Sequence, residues 1–90
     1  MKMTNENSKS RILAVKVWFE AERVCMEMND GRIVAAPLVW FPRLANATEA
    51  ERNHWELTAH GYGVHWPDVD EDLLAEGMFT YSPQKELVNA

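Results

Sequence analysis

Ninety residues bound the chain to one small domain. A hydrophobic share of 47%, with four Trp, three Phe, two Tyr and five Met, supplies one compact core and excludes a disordered body. Nine basic residues, scattered among fourteen acidic ones, leave a net charge of −5, which argues against nucleic acid as a direct partner.

Residues 1–10 are polar and without period, and they read as a loose tail with no apolar signal-peptide core. From Ile12 the pattern becomes alternation. Leu13, Val15, Val17 and Phe19 take one face, Ala14, Lys16 and Trp18 the other, which predicts a first strand. Arg23 to Met28 alternates too, and a tight turn near Glu20-Ala21 pairs Val17 with Val24 and Val15 with Met26. Asp30-Gly31 is a strong hairpin signal, and as a two-residue loop it pairs Met28 with Ile33 and Met26 with Ala35. The expectation is a three-stranded antiparallel meander that Pro37 ends.

Pro42 holds Phe41 extended. Thr48 with Glu51 three residues on is a capping box, and it predicts a short helix ending near His54. Trp55, Leu57 and Ala59 alternate before His60-Gly61, and Tyr62, Val64 and Trp66 after it. A two-residue loop there pairs Leu57 with Val64, Trp55 with Trp66 and Glu56 with His65. Pro67 stops that strand, and Asp68 or Asp70 caps a turn or helix over 71–75 that Gly77 ends. The composite is an α+β fold: a small antiparallel sheet, β-β-β-α-β-β plus a short C-terminal turn or strand, with one helix. It occupies a single domain over 11–81, between tails at 1–10 and 82–90.

The pair Gly61-x-Gly63 is hairpin geometry, since a phosphate loop needs a third glycine and a following helix. His60 and His65 stand at opposite ends of one short strand and His54 on another element. With Asp68, Asp70, Glu71 and Asp72 they make a solvated acidic turn, so neither a metal nor another cofactor is expected. The sharpest enzymatic constellation is His65 with Glu56 across the strands, joined by Asp70, for acid–base or metal-dependent hydrolysis. It lacks a nucleophile: no Ser stands near, and Cys25 belongs to a strand. Aromatics are in surplus. Trp18 falls on the polar face and the neighbours Trp40 and Phe41 cannot both point inward, so an exposed aromatic patch is expected, and such patches mark interaction surfaces.

Three blocks carry a resemblance: Asn29 to Ile33, Pro37 to Leu44, and Gly61-Tyr62-Gly63-Val64-His65-Trp66-Pro67 with Asp70-Glu71-Asp72. Over about residues 12–80 they resemble the domain-of-unknown-function 2442 family of small prokaryotic proteins. The resemblance implies an α+β fold with no established enzymatic activity, and a strand rather than a helix near Leu73. It assigns no catalytic residue. Some relatives carry a further helix-turn-helix domain that would bind DNA, and relatives are often encoded beside another small protein in the manner of a toxin–antitoxin pair.

The leading expectation is therefore a non-enzymatic interaction module, the acidic antitoxin-like partner of a small toxin-like protein encoded by a neighbouring gene. Trp40, Phe41, Arg43, His65, Trp66, Asp70 and Asp72 are expected to share one protein-binding surface, with Arg43 clasping Asp70 or Asp72. The alternatives are the His65, Glu56 and Asp70 hydrolase and an accessory to a DNA-binding regulator. The single cysteine and the lack of an apolar run of about 18 residues point to a cytoplasmic, membrane-free protein. Unpaired sheet edges make a homodimer reasonable.

Overall fold

A computed structural model describes residues 11–82. The expected tail at 1–10, and that at 82–90 apart from Ser82, lie outside the described residues. Strands β1 (Ala14–Glu20), β2 (Arg23–Met28) and β3 (Ile33–Pro37) form the expected antiparallel meander, in that spatial order.

Its first turn is Ala21-Glu22, one position later than expected. Both residues have positive φ, 50° and 60°, the handedness that matches strand twist in a two-residue loop. Val17 therefore faces Met26 and Phe19 faces Val24. Moving the partner by two residues leaves every side chain on its expected face, so alternation alone cannot detect the shift. A bulge between Ala14 and Lys16 does change a face. It turns Val15 outward, 49% exposed, while Ala14 and Val17 both enter the core.

The second turn corrects the pairing of Met28 with Ile33. The loop has three residues, Asn29-Asp30-Gly31: the Met28 N–H donates to the Arg32 carbonyl at 2.8 Å, and Gly31 takes a left-handed φ of 95°. Asn29 serves the loop because its side chain is engaged with the approach to β1. It accepts from the Leu13 N–H at 3.2 Å and donates to the Arg11 carbonyl at 3.1 Å. Met26 then faces Val34 and Val24 faces Ala36, while Ile33 lies opposite Glu27, 60% exposed.

Between the strands lie a 3-10 turn (Leu38–Trp40) and two one-turn helices, α1 (Pro42–Ala45) and α2 (Glu49–Arg52). Phe41 is extended at φ −126° and ψ 83°, as Pro42 demands, and Pro42 opens α1, a helix absent from the sequence expectation. Both bonds of the Thr48–Glu51 capping box form, at 3.1 and 2.9 Å. Arg52 ties the helices together, donating to the carbonyls of Leu44 and Ala45 at 2.8 Å each.

Strands β4 (Glu56–Thr58), β5 (Gly63–Trp66) and β6 (Glu71–Leu74) form a second antiparallel sheet, so the single expected sheet divides in two. Leu57 faces Val64 and Glu56 faces His65, as expected. The connecting loop is longer than His60-Gly61, running from Ala59 to Tyr62, with positive φ at Ala59, His60 and Gly61. The expected helix over 71–75 is a strand, which agrees with the family resemblance. Asp70 explains the difference: at a φ of 55° it reverses the chain instead of capping a helix, bringing Glu71 opposite Trp66. A 3-10 turn (Glu76–Phe79) follows.

One core joins the parts. Ala14, Val17, Val24, Met26, Met28 and Ala36 from the first sheet meet Val64 and Trp66 from the second, with Leu38, Phe41, Leu44 and Ala75 between them. No helix among the described residues is long and apolar enough to cross a membrane.

Candidate functional site

The expected surface separates into a buried half and an open half. Trp66 is 0% exposed and lies wholly in the core, and Phe41, 7% exposed, is a core residue that also lines the groove beside β6. Trp66 stacks edge-on against Phe19 with ring centroids 6.2 Å apart, and its indole N–H donates to the Arg52 carbonyl at 2.9 Å. A domain this small needs that apolar area inside, and the backbone carbonyl satisfies the one polar atom. Trp40 is half-buried, and Arg43, Asp70 and Asp72 are exposed. The clasp exists in altered form: an Arg43 guanidinium N–H donates to the backbone carbonyl of Asp70, not to a carboxylate.

His65 lies on the outer face of the second sheet between two carboxylates, Glu56 across β4 and Asp72 across β6. Its Nδ1 is 2.8 Å from Asp72 Oδ1, so the partner is Asp72 and not the expected Glu56. A second pair, His54 Nδ1 with Asp68 Oδ2, spans 2.9 Å. Among the described residues no group of three His, Cys, Asp or Glu side chains is placed to hold a metal. Cys25 is buried in the first sheet, opposite Trp18 and Ala35, and its burial pushes the thiol above its ordinary value of 9.0.

The open half centres on a groove of about 420 Å³ beside β6. Trp40, Phe41 and Pro42 form one wall, the whole of β6 the other, and Gly77, Met78 and Tyr81 close the end. Tyr81 locks the aromatic wall, its ring 6.0 Å from that of Trp40 and 5.6 Å from that of Phe41. Among the described residues Glu71 and Asp72 are the charged lining residues, and none of the lining residues is a cation. Such a floor can take apolar side chains while its rim takes cations.

Sequence reasoning places Trp40, Phe41 and Asp72 here but misses Glu71, Leu73, Leu74, Met78 and Tyr81, and Arg43, His65, Trp66 and Asp70 lie outside the lining. The available signal was the extended Glu71 to Leu74 segment after a turn. Read as a helix, it sends Leu73 and Leu74 elsewhere.

Fold and groove define a small α+β domain of two three-stranded sheets with an acidic-rimmed apolar cleft at one sheet edge. A family model described as "Protein of unknown function (DUF2442)" matches residues 14–84, and the chain belongs to that family. It is also similar to a solved structure, a protein of unknown function from Rhodospirillum rubrum ATCC 11170. That likeness has 26% identity and a TM-score of 0.66, covering 78% of this chain and 87% of the other. No curated protein matches.

Proposed function

We propose that this chain is a non-enzymatic protein-interaction module, the acidic, antitoxin-like partner of a small basic protein encoded nearby, acting in the cytoplasm. The groove between the Trp40–Tyr81 wall and β6 carries the reading. It joins an apolar floor to the carboxylates of Glu71 and Asp72 in a chain of net charge −5. Aromatic anchors in a cleft with a charged rim are what protein recognition uses: the anchors hold the complex, and the charge steers and selects the partner.

Co-expression with the product of the neighbouring gene tests this. The two chains should co-elute. Trp40→Ala should weaken the complex by about tenfold or more, the usual cost of an interface anchor. A partner that binds the variant as tightly as the parent removes the groove from the interface, and two chains that never co-elute remove the reading.

One observation favours a second reading, acid–base hydrolysis: His65 shares its carboxylate, Asp72, with the groove. A hydrolytic activity lost in His65→Ala but kept in Trp40→Ala would support it. An accessory role in DNA regulation follows only where the basic partner itself carries a DNA-binding domain.

A further inference from the structure

One wall of the groove is backbone. Among the described residues β6 is an edge strand, paired with β5 on one side only. Just beyond it the Ala75 N–H donates to the Tyr62 carbonyl at 2.9 Å, which sets the parity of the ladder. Glu71 and Leu73 therefore exchange their bonds with β5, and Asp72 and Leu74 turn their N–H and C=O groups away from the sheet. The near end of this outer edge is capped. Arg43 donates to the Asp70 carbonyl, and Glu71 Oε1 accepts from the Asp72 N–H at 3.1 Å. For the Asp72 carbonyl and the Leu74 N–H, no partner is found among the described residues.

Charge decides what can dock there. Asp70, Glu71 and Asp72 are consecutive and Glu76 follows closely, so a second copy pairing edge to edge would set like charges against each other. A strand carrying Lys or Arg meets the opposite condition.

We infer that the outer edge of β6 receives an extended, basic segment of the partner protein, which joins the second sheet as a fourth strand. The segment hydrogen-bonds to the Asp72 carbonyl and the Leu74 N–H, and alternate side chains enter the groove against Trp40 and Tyr81. Its cations draw the Glu71 carboxylate off the Asp72 N–H and open that donor to the incoming strand. This rests on the interaction reading above and adds the mode of binding and the chemistry of the bound segment.

The test titrates the full chain, isotopically labelled, with a synthetic peptide that alternates lysine with valine and phenylalanine. Two further versions carry N-methyl groups, one on the lysine amides and the other on the apolar amides. Only one edge of an added strand faces β6, so one methylated version should bind about tenfold more weakly or worse. The other should bind like the parent peptide, and the Asp72 and Leu74 amides should gain protection from exchange. If both methylated versions bind like the parent while Trp40→Ala loses binding, the groove works through side chains alone. That overturns strand addition and leaves the interaction reading standing. If none of the three peptides binds, the unmethylated parent included, the basic-strand proposal is overturned, while co-elution with the neighbouring gene product still decides the broader reading. Protection of the same amides that rises with protein concentration, without peptide, assigns the edge to a second copy and overturns it too.

Discussion

At the scale of single residues, two glycines with similar backbone angles have different reasons to exist. Gly31 has a φ of 95° with nothing within 4 Å of where a Cβ would stand. Gly61 has a φ of 102°, and a Cβ there would lie 2.3 Å from the Ala14 carbonyl oxygen. The first position needs conformational freedom and the second also needs space, because the β4–β5 loop lies directly on the backbone of β1. Gly31→Ala should cost about 1 kcal/mol and Gly61→Ala about 3 or more, read from denaturant midpoints. Equal costs would show that the loop does not rest on β1. Cys25 offers a pH-dependent test. Burial first, then the charge of Glu20, raises its thiol above 9.0 in the folded chain. Folding thus favours the protonated form. That contribution is fully present below the unfolded value and is lost as pH rises through the folded one. Alkylation by iodoacetamide near neutral pH should be slow in the native protein and rapid in denaturant. A Cys25→Ala variant should lose the alkaline fall in stability.

At the scale of elements, the β2–β3 turn shows where stability and legibility meet. The Arg32 amide and then its guanidinium hold the Asp30 carboxyl below its ordinary 3.8, through bonds of 3.0 and 2.8 Å. The folded value is depressed, so the contribution is present above 3.8 and is lost as pH falls through the folded value. Asp30→Asn should remove that acid limb in a series of denaturant midpoints and lower stability near neutrality by the same amount, which is small because the site is exposed. Asp30-Gly31 was legible as a turn, but its loop length was not. The deciding contacts, Asn29 to Leu13 and Arg11, come from the approach to β1, sixteen and eighteen residues away. The error carried further there than at Ala21-Glu22: a one-residue slip exchanges the faces of β3, whereas a two-residue slip preserves them. The second hairpin shows the reverse case. Glu56–His65 and Leu57–Val64 were read in register although the loop was twice as long, because added loop residues do not disturb flanking alternation. The capping box was legible because it is wholly local. β6 was misread because the left-handed Asp70 and the open side of β5 are tertiary conditions that propensity does not carry. The same failure hid Leu73, Leu74 and the groove.

At the scale of the whole molecule, apolar area and acidic charge are spent in different places. Neither sheet is large enough to bury its own face, so both donate to one core, and Trp66 is the largest side chain fully buried there. Every aromatic committed to that core is withdrawn from the surface, which is why only part of the expected patch remains open. Three consecutive carboxylates stand at the edge that the core leaves bare. Asp70, Glu71 and Asp72 stand at the start of β6, whose open outer edge and Leu73 and Leu74 would otherwise invite pairing with an identical chain. The charges have two effects that share one origin: they repel a second copy and attract a basic strand. Removing them should separate the two effects from the fold. The triple variant Asp70→Asn, Glu71→Gln, Asp72→Asn keeps side-chain shape, and the Arg43 bond survives because it reaches the Asp70 backbone. Its thermal midpoint should stay within a few degrees of the parent, because exposed charges contribute little to stability. Its sedimentation coefficient should rise with concentration at lower protein levels than the parent's, and its affinity for a lysine-rich strand should fall. Adding salt to the parent should reproduce both changes in weaker form, since screening acts on the same repulsion and attraction. If variant and parent sediment identically over the whole range while lysine-rich binding is lost, the carboxylates select a partner without guarding the edge.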